Sequence, residues 1–179
     1  RLGWPDIQSL KSDEECIQYL ADLPEGGGIG LEAMQSALIE RLRNGLSDDE
    51  SLLCRRLSLA ITTFQRCAGE AVWTLDREFA QFQSVWGRCV SKVFESTSPG
   101  RFAIPEVYES GFRRELTSEE QKALHTVIAE AFQNQGSRSK DVFDVHASVF
   151  HRLLGGDAER AMHDASMYIT YASGPGASQ

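Results

Sequence analysis

No apolar run in the chain approaches the roughly 20 residues that a membrane-spanning helix needs, so nothing in it reads as a membrane span. Lysine is scarce, with 4 residues against 14 arginines, and the net charge is −8. The acids are spread along the chain: residues 1–25 hold six against Arg1 and Lys11, and residues 47–95 hold seven against six bases. No basic stripe emerges, which argues against nucleic acid as a partner. No CxxC pair joins Cys16, Cys54, Cys67 and Cys89, so neither a zinc motif nor a redox motif is present. Their apolar helical surroundings suit free thiols in a reducing, cytoplasmic or otherwise intracellular compartment. The chain begins at Arg1 rather than Met, which leaves targeting and truncation unread. Strand signals are nearly missing, since no apolar alternation is sustained over six residues.

What is there reads as helix. Ser12 with Glu15, Ser47 with Glu50 and Thr117 with Glu120 are capping-box pairs, in which hydroxyl and carboxylate satisfy each other's backbone amides. A first helix over about 13–21 ends at the glycines of LPEGGGIG, and a second over 31–44 ends at Gly45, a left-handed stop. From residue 48 to 94, Leu53, Leu57, Ile61, Phe64, Ala68, Ala71, Leu75, Phe79, Phe82, Trp86, Val90 and Val93 recur at steps of three or four. One helix of that length would run about 70 Å, so a break near Gly69 or Gly87 is expected. Residues 96–116 read as an irregular middle loop with a short turn after Pro105. Helices follow at about 117–133, with Leu124, Ile128 and Phe132 inward; at 141–154, with Val142, Val145, Val149, Leu153 and Leu154 inward; and at 158–171, with Ala161, Met162, Ala165 and Ile169 inward. GSRSK before residue 141 reads as a loop, and the tail over 173–179 as frayed.

The expected fold is all-α: a single domain and compact bundle of six or seven helices around the long segment at about 48–94.

Chemistry-bearing patterns are few. GGGIG lacks the lysine and the preceding strand of a phosphate loop, and reads as a connector. His125, His146, His151 and His163 have no metal-ligand spacing, and His125 beside Leu124 and Ile128 suits a hydrogen-bonded core residue. The acids at 48–50 and 119–120 sit in first helical turns, where they complement the helix dipole. No catalytic, cofactor or metal residues are assigned, and the reading leans away from an enzyme. Arg41, Arg43, Arg55, Arg56, Arg66, Arg77 and Arg88 are either a converged anion site or a solvated face with pairs such as Arg66–Glu70.

Residues 81–94, QFQSVWGRCVSKVF, place a glycine inside a helix at a cost of about 1 kcal/mol, which a close neighbour or a helix break would explain. VWGRCVSKVF resembles the first homology motif of Bcl-2-family apoptosis regulators, with Trp86, Gly87 and Arg88 at the motif's core. The resemblance covers about ten of the 179 residues. It implies a helical bundle in which Arg88 lines a groove for a partner's BH3 helix. FQRCAGEAV at 64–72 resembles that helix but lies close upstream, and FHRLLGGDA at 150–158 has the second motif's glycines without its tryptophans.

The function expected is non-enzymatic protein binding of adaptor, regulatory or effector type through an aromatic and arginine surface. Candidate contact residues are Trp73, Phe82, Trp86, Arg88, Phe102, Tyr108 and Phe112, weighed against the reading that the aromatics form the core. The alternatives are a Bcl-2-like groove binder, and a small helical enzyme or anionic-metabolite binder using the arginines. The partner is another protein, with no cofactor; a homo-oligomer is compatible with the sequence.

Overall fold

The computed structural model describes residues 39–60, 63–139 and 141–172. The expected first helix, GGGIG, Cys16 and the tail at 173–179 lie outside the described residues, as do positions 61, 62 and 140. The chain divides into two compact units, residues 1–47 and 48–179. In the first, residues 39–44 are helical. Gly45 closes that helix through its amide to the Leu42 carbonyl at 3.0 Å, without the left-handed backbone expected of it.

The second unit is mostly helical, as expected of an all-α bundle, with three short strands among its described residues. Its elements are α1 (Asp48–Leu57), β1 (Phe64–Gln65), α2 (Arg66–Trp73), α3 (Phe79–Lys92), β2 (Glu95–Ser98), β3 (Arg101–Ala103), α4 (Glu106–Arg113), α5 (Ser118–Ser139), α6 (Val142–Gly155) and α7 (Ala158–Ala172). The 48–94 segment therefore breaks twice, and neither break falls at Gly69 or Gly87. The first follows Leu57, where Ser58 turns its hydroxyl to the Arg55 carbonyl and its own carbonyl accepts both Nε and Nη2 of Arg113 from α4. The second follows Trp73. There Arg56 donates to the Val72 carbonyl at 2.7 Å and grips Asp76 with both terminal nitrogens, while Thr74 bonds back to the Glu70 carbonyl. A carbonyl capped by a guanidinium, followed by a back-bonded threonine, ends a helix. Leu75 and Phe79, expected inward, are exposed at this break.

The stretch at 96–116 is ordered into elements. β2 and β3 pair antiparallel, β1 pairs on the other side of β3, and the sheet order is β1-β3-β2. The turn between β2 and β3 contains Pro99 and Gly100, and Gly100 takes a positive φ of 75° that suits glycine. Strands of two to four residues carry too short an alternation to read from sequence.

α5 opens on the expected box: Thr117 N donates to Glu120 Oε2 at 2.8 Å, and Glu120 N donates to Thr117 Oγ1 at 3.2 Å. It continues through Gly136 to Ser139, across the expected GSRSK loop. A Cβ on Gly136 would lie 3.1 Å from Val145 Cγ2 and 3.2 Å from Asp144 Cβ, so this glycine admits α6 rather than ending α5. α6 begins at Asp141, which accepts from Phe143 N, and ends at Gly156 in the left-handed region, with Asp157 N on the Arg152 carbonyl. α5 packs mainly against α6, α7 against α6, and α2 against α5, while α1 contacts α2, α3 and α4.

Candidate functional site

Trp86 stands at the middle of an aromatic cluster. The rings of Phe82, Phe94 and Phe102 lie 5.4–5.5 Å from it between centroids, and Phe64 lies at 6.2 Å. These distances suit edge and tilted aromatic contacts. Trp73 is fully buried and donates its indole N–H to the Glu78 carbonyl at 2.9 Å. Phe82 and Phe112 are fully buried as well, and Trp86 nearly so. Of the seven candidate contact residues, Phe102 and Tyr108 are half-buried and Arg88 reaches solvent. The aromatic strip of 79–86, apart from Phe79, is thus core, and it offers no apolar surface to a partner in this conformation.

Each member of Trp-Gly-Arg has a separate place. Trp86 packs against α2, where Gly69 leaves room for its ring. Gly87 faces open space, with nothing within 4 Å of where a Cβ would stand, so neither a close neighbour nor a break accounts for it. Arg88 donates through Nε to Glu50 Oε1 at 2.5 Å and through Nη1 to Ser84 Oγ at 2.6 Å. Glu50 is 1% exposed and also accepts from Lys92 at 3.0 Å. This buried carboxylate joins α1 to α3, a role beyond the first-turn dipole expected of it. The groove arginine of a Bcl-2-type site would have to leave Glu50 to reach a partner.

The other arginines of the expected cluster within residues 48–179 also meet carboxylates: Arg55 meets Glu115, Arg56 meets Asp76, Arg66 meets Glu70, and Arg77 meets Asp49. Paired surface guanidiniums of this kind fit the solvated-face reading better than a converged anion site.

The largest departure from the sequence reading is α6: of the five residues expected inward, Val145 and Val149 are half-buried and Val142, Leu153 and Leu154 face outward. Asp144, Ala147, Ser148, His151 and Arg152 are buried. Val142, Phe143, Phe150, Leu153 and Leu154 are exposed, with Phe150 and Leu153 each at 53%. At 100° per residue, Val149, Val142, Leu153, His146, Phe150, Phe143 and Leu154 occupy one continuous arc of about 140°. Met162 and Ile169 on α7, expected inward, are exposed too, while Ala161 is buried as expected.

Three polar networks hold the buried face of α6. Asp144 accepts from Gln65 Nε2 at 3.0 Å and from Arg101 Nη2 at 2.6 Å, and the same Nη2 reaches Asp141 at 2.7 Å. Arg152 donates through Nε to Asp164 Oδ2 at 2.6 Å and through Nη2 to Gln133 Oε1 at 2.5 Å. Gln133 Nε2 returns to Asp164 Oδ1 at 2.7 Å, closing a ring across α5, α6 and α7, and Ser148 adds a third bond to Asp164. His125 and His151 meet Nδ1 to Nδ1 at 2.8 Å. Two neutral imidazoles bond in this way only as complementary tautomers, one Nδ1 donating and the other accepting. Burial, and then the charge of the facing ring, push His151 down to about 3; burial and Arg113 lower His125. His125 is the hydrogen-bonded core histidine the sequence suggested. Buried polar groups with partners in place make a polar interior tolerable.

A polar cavity of about 340 Å³ lies beside the Arg152 ring, with Arg160 and His163 on one side and Glu130 and Asn134 on the other. Arg160 approaches Glu130 at 3.7 Å and Asp157 at 3.6 Å, so its charge is balanced within the protein. The Cys54 thiol is buried 3.9 Å from Cys89 Sγ, and its hydrogen bond to Cys89, together with burial, pushes it far above the ordinary thiol range. Burial raises Cys67 as well. Thiols held protonated are poor nucleophiles. Among the described residues, no helix is long and apolar enough to cross a membrane.

Compared with known proteins, the chain matches no family model, no curated protein and no solved structure.

Sequence reasoning missed the α6 stripe because Val142, Val149, Leu153 and Leu154 have the spacing of a core face. The opposing signal was Asp144, Ser148, His151 and Arg152 at steps of four, three and one, a polar stripe matching Gln133 and Asp164 on the neighbouring helices.

Proposed function

We propose that this chain is a protein-interaction domain of adaptor, regulatory or effector type that docks a protein partner on the outward apolar stripe of α6. The supporting observation is the outward apolar face of that helix. Single exposed apolar residues are ordinary on protein surfaces, whereas a contiguous apolar face is a mark of interaction sites. Phe143 and Phe150 supply aromatic anchors, and the Arg101 guanidinium lies 4.4 Å over the Phe143 ring. An arginine stacked on an aromatic is a combination that interfaces favour. The aromatic and arginine surface expected from sequence is thereby moved from the α3 strip to α6. Stripe side chains at successive turns match the ridge spacing that a partner helix would use.

The test is affinity capture with the full chain beside Phe150→Glu and Leu153→Glu, with Arg77→Glu as a surface control. Each captured protein is then purified and its binding remeasured. A partner whose Kd rises at least about tenfold, or about 1.4 kcal/mol, with both stripe variants but not with the control supports the reading. Partners bound equally well by stripe variants that melt at the wild-type temperature would sink it.

A further inference from the structure

We infer that the partner seated on the α6 stripe is a second copy of this chain, bound as an antiparallel helix pair. The inference rests on the docking reading above and names its occupant. The stripe is close to palindromic about Ser148: Val142 and Leu154 stand six residues to either side, Phe143 and Leu153 five, and His146 and Phe150 two. A two-fold axis crossing the exposed face at the level of Ser148 sets Val142 on the partner's Leu154, Phe143 on the partner's Leu153, and His146 on the partner's Phe150. Self-complementarity of this kind is the requirement of an isologous dimer, in which one patch meets itself. The antiparallel arrangement also places the amino end of each helix beside the carboxyl end of the other, where the macrodipoles attract.

The area agrees with this occupant. Val142, Phe143, Phe150, Leu153 and Leu154 are each 38–53% exposed. At ~150–200 Å² for a fully exposed large side chain, they present roughly 400 Å² of apolar surface. A standard interface buries about 800 Å² per partner, a little over half of it apolar. One face of one helix therefore supplies nearly the whole apolar share of a stable dimer contact. Arg101 under Phe143 is 14% exposed and brings no unpaired charge to the contact, since Asp141 and Asp144 neutralise it.

Sedimentation velocity of the full chain across a concentration series tests this. Wild type is expected to move from one to two copies of the 19.9 kDa chain as concentration rises. Phe150→Glu and Leu153→Glu are expected to raise the dimer dissociation constant at least about tenfold, with unchanged circular dichroism and melting temperature. Both side chains are exposed, so these variants should fold. In a His146→Cys/Phe150→Cys variant, mild oxidation should give a dimer whose bridges, mapped by peptide mass, join position 146 of one copy to 150 of the other. A chain that is monomeric throughout, a dimer indifferent to the stripe variants, or bridges only between like positions would overturn the inference. If a monomeric wild type still loses a different captured partner through Phe150→Glu, self-association falls and the docking reading stands. If neither is lost, both fall.

Discussion

A β-carbon on Gly69 would stand 2.4 Å from Cζ3 and 2.8 Å from Cε3 of Trp86, closer than atoms approach without displacement. α2 and α3 are thus set against each other through one glycine and one indole. Gly69→Ala must push the Trp86 ring into Phe64, Phe94 and Phe102, which surround it. Overpacking of this kind costs about 1–3 kcal/mol. Gly87→Ala is the opposite case, because its site is open and helical; replacing glycine there should add about 0.5–1 kcal/mol. Urea unfolding of the two variants should therefore shift in opposite directions. Equal shifts would mean that the tryptophan ring is free to relocate.

That contrast shows what was legible in the sequence and what was not. Helix identity was legible from Thr117 with Glu120, from the apolar steps through Leu53, Leu57 and Phe82, and from the glycines after Leu154. The break points were not, because they depend on Arg56 reaching Val72 and Asp76, and on Arg113 reaching Ser58, contacts between residues 16 to 55 positions apart. Gly69 and Gly136 looked like helix breakers, and each instead admits a neighbouring element. The orientation of α6 was hidden for a related reason. Its outer arc, apolar except for His146, faces away from a polar arc, and which one turns inward is decided by Gln133, Asp164 and Arg101 on other elements.

The histidine pair makes stability depend on pH. Burial pushes His151 down to about 3 in the folded protein and holds His125 below its ordinary value. Unfolded histidine titrates near about 6.5. Between these values the unfolded chain binds more protons, so stability rises with pH. The contribution is complete above about pH 6.5 and is lost as the pH falls, at up to about 1.4 kcal/mol per pH unit for His151. Unfolding free energies measured between about pH 7 and pH 5 read this slope, with the Glu109 carboxyl, raised by burial, working in the opposite direction. A His125→Leu/His151→Phe variant should lose the slope whatever its absolute stability, and retention of the slope would place its origin elsewhere.

Thiol labelling should report opening of the α1–α3 contact. Cys54 and Cys89 are fully buried and Cys67 only partly so. Alkylation followed by peptide mapping should modify Cys67 before the other two. Cys54 and Cys89 should gain label together, at a rate that rises with denaturant, since both become accessible only when those helices part. Independent labelling of Cys54 in native buffer would contradict the packing.

The Arg152–Asp164 pair offers the sharpest test of the α6 orientation. Both side chains are at least 96% buried, and each closes the ring with Gln133. Removing one leaves an uncompensated charge inside, so Arg152→Leu or Asp164→Leu should each cost about 3–5 kcal/mol. The double variant removes both charges, and hydrophobic replacement of a whole buried pair is often close to neutral. It should therefore be more stable than either single variant, which requires a coupling energy in the double-mutant cycle larger than either single loss. Additive losses would mean that the two charges do not meet, and that α6 has turned its polar face to water. In that case the apolar stripe would lie inside, and there would be nothing for a partner to hold.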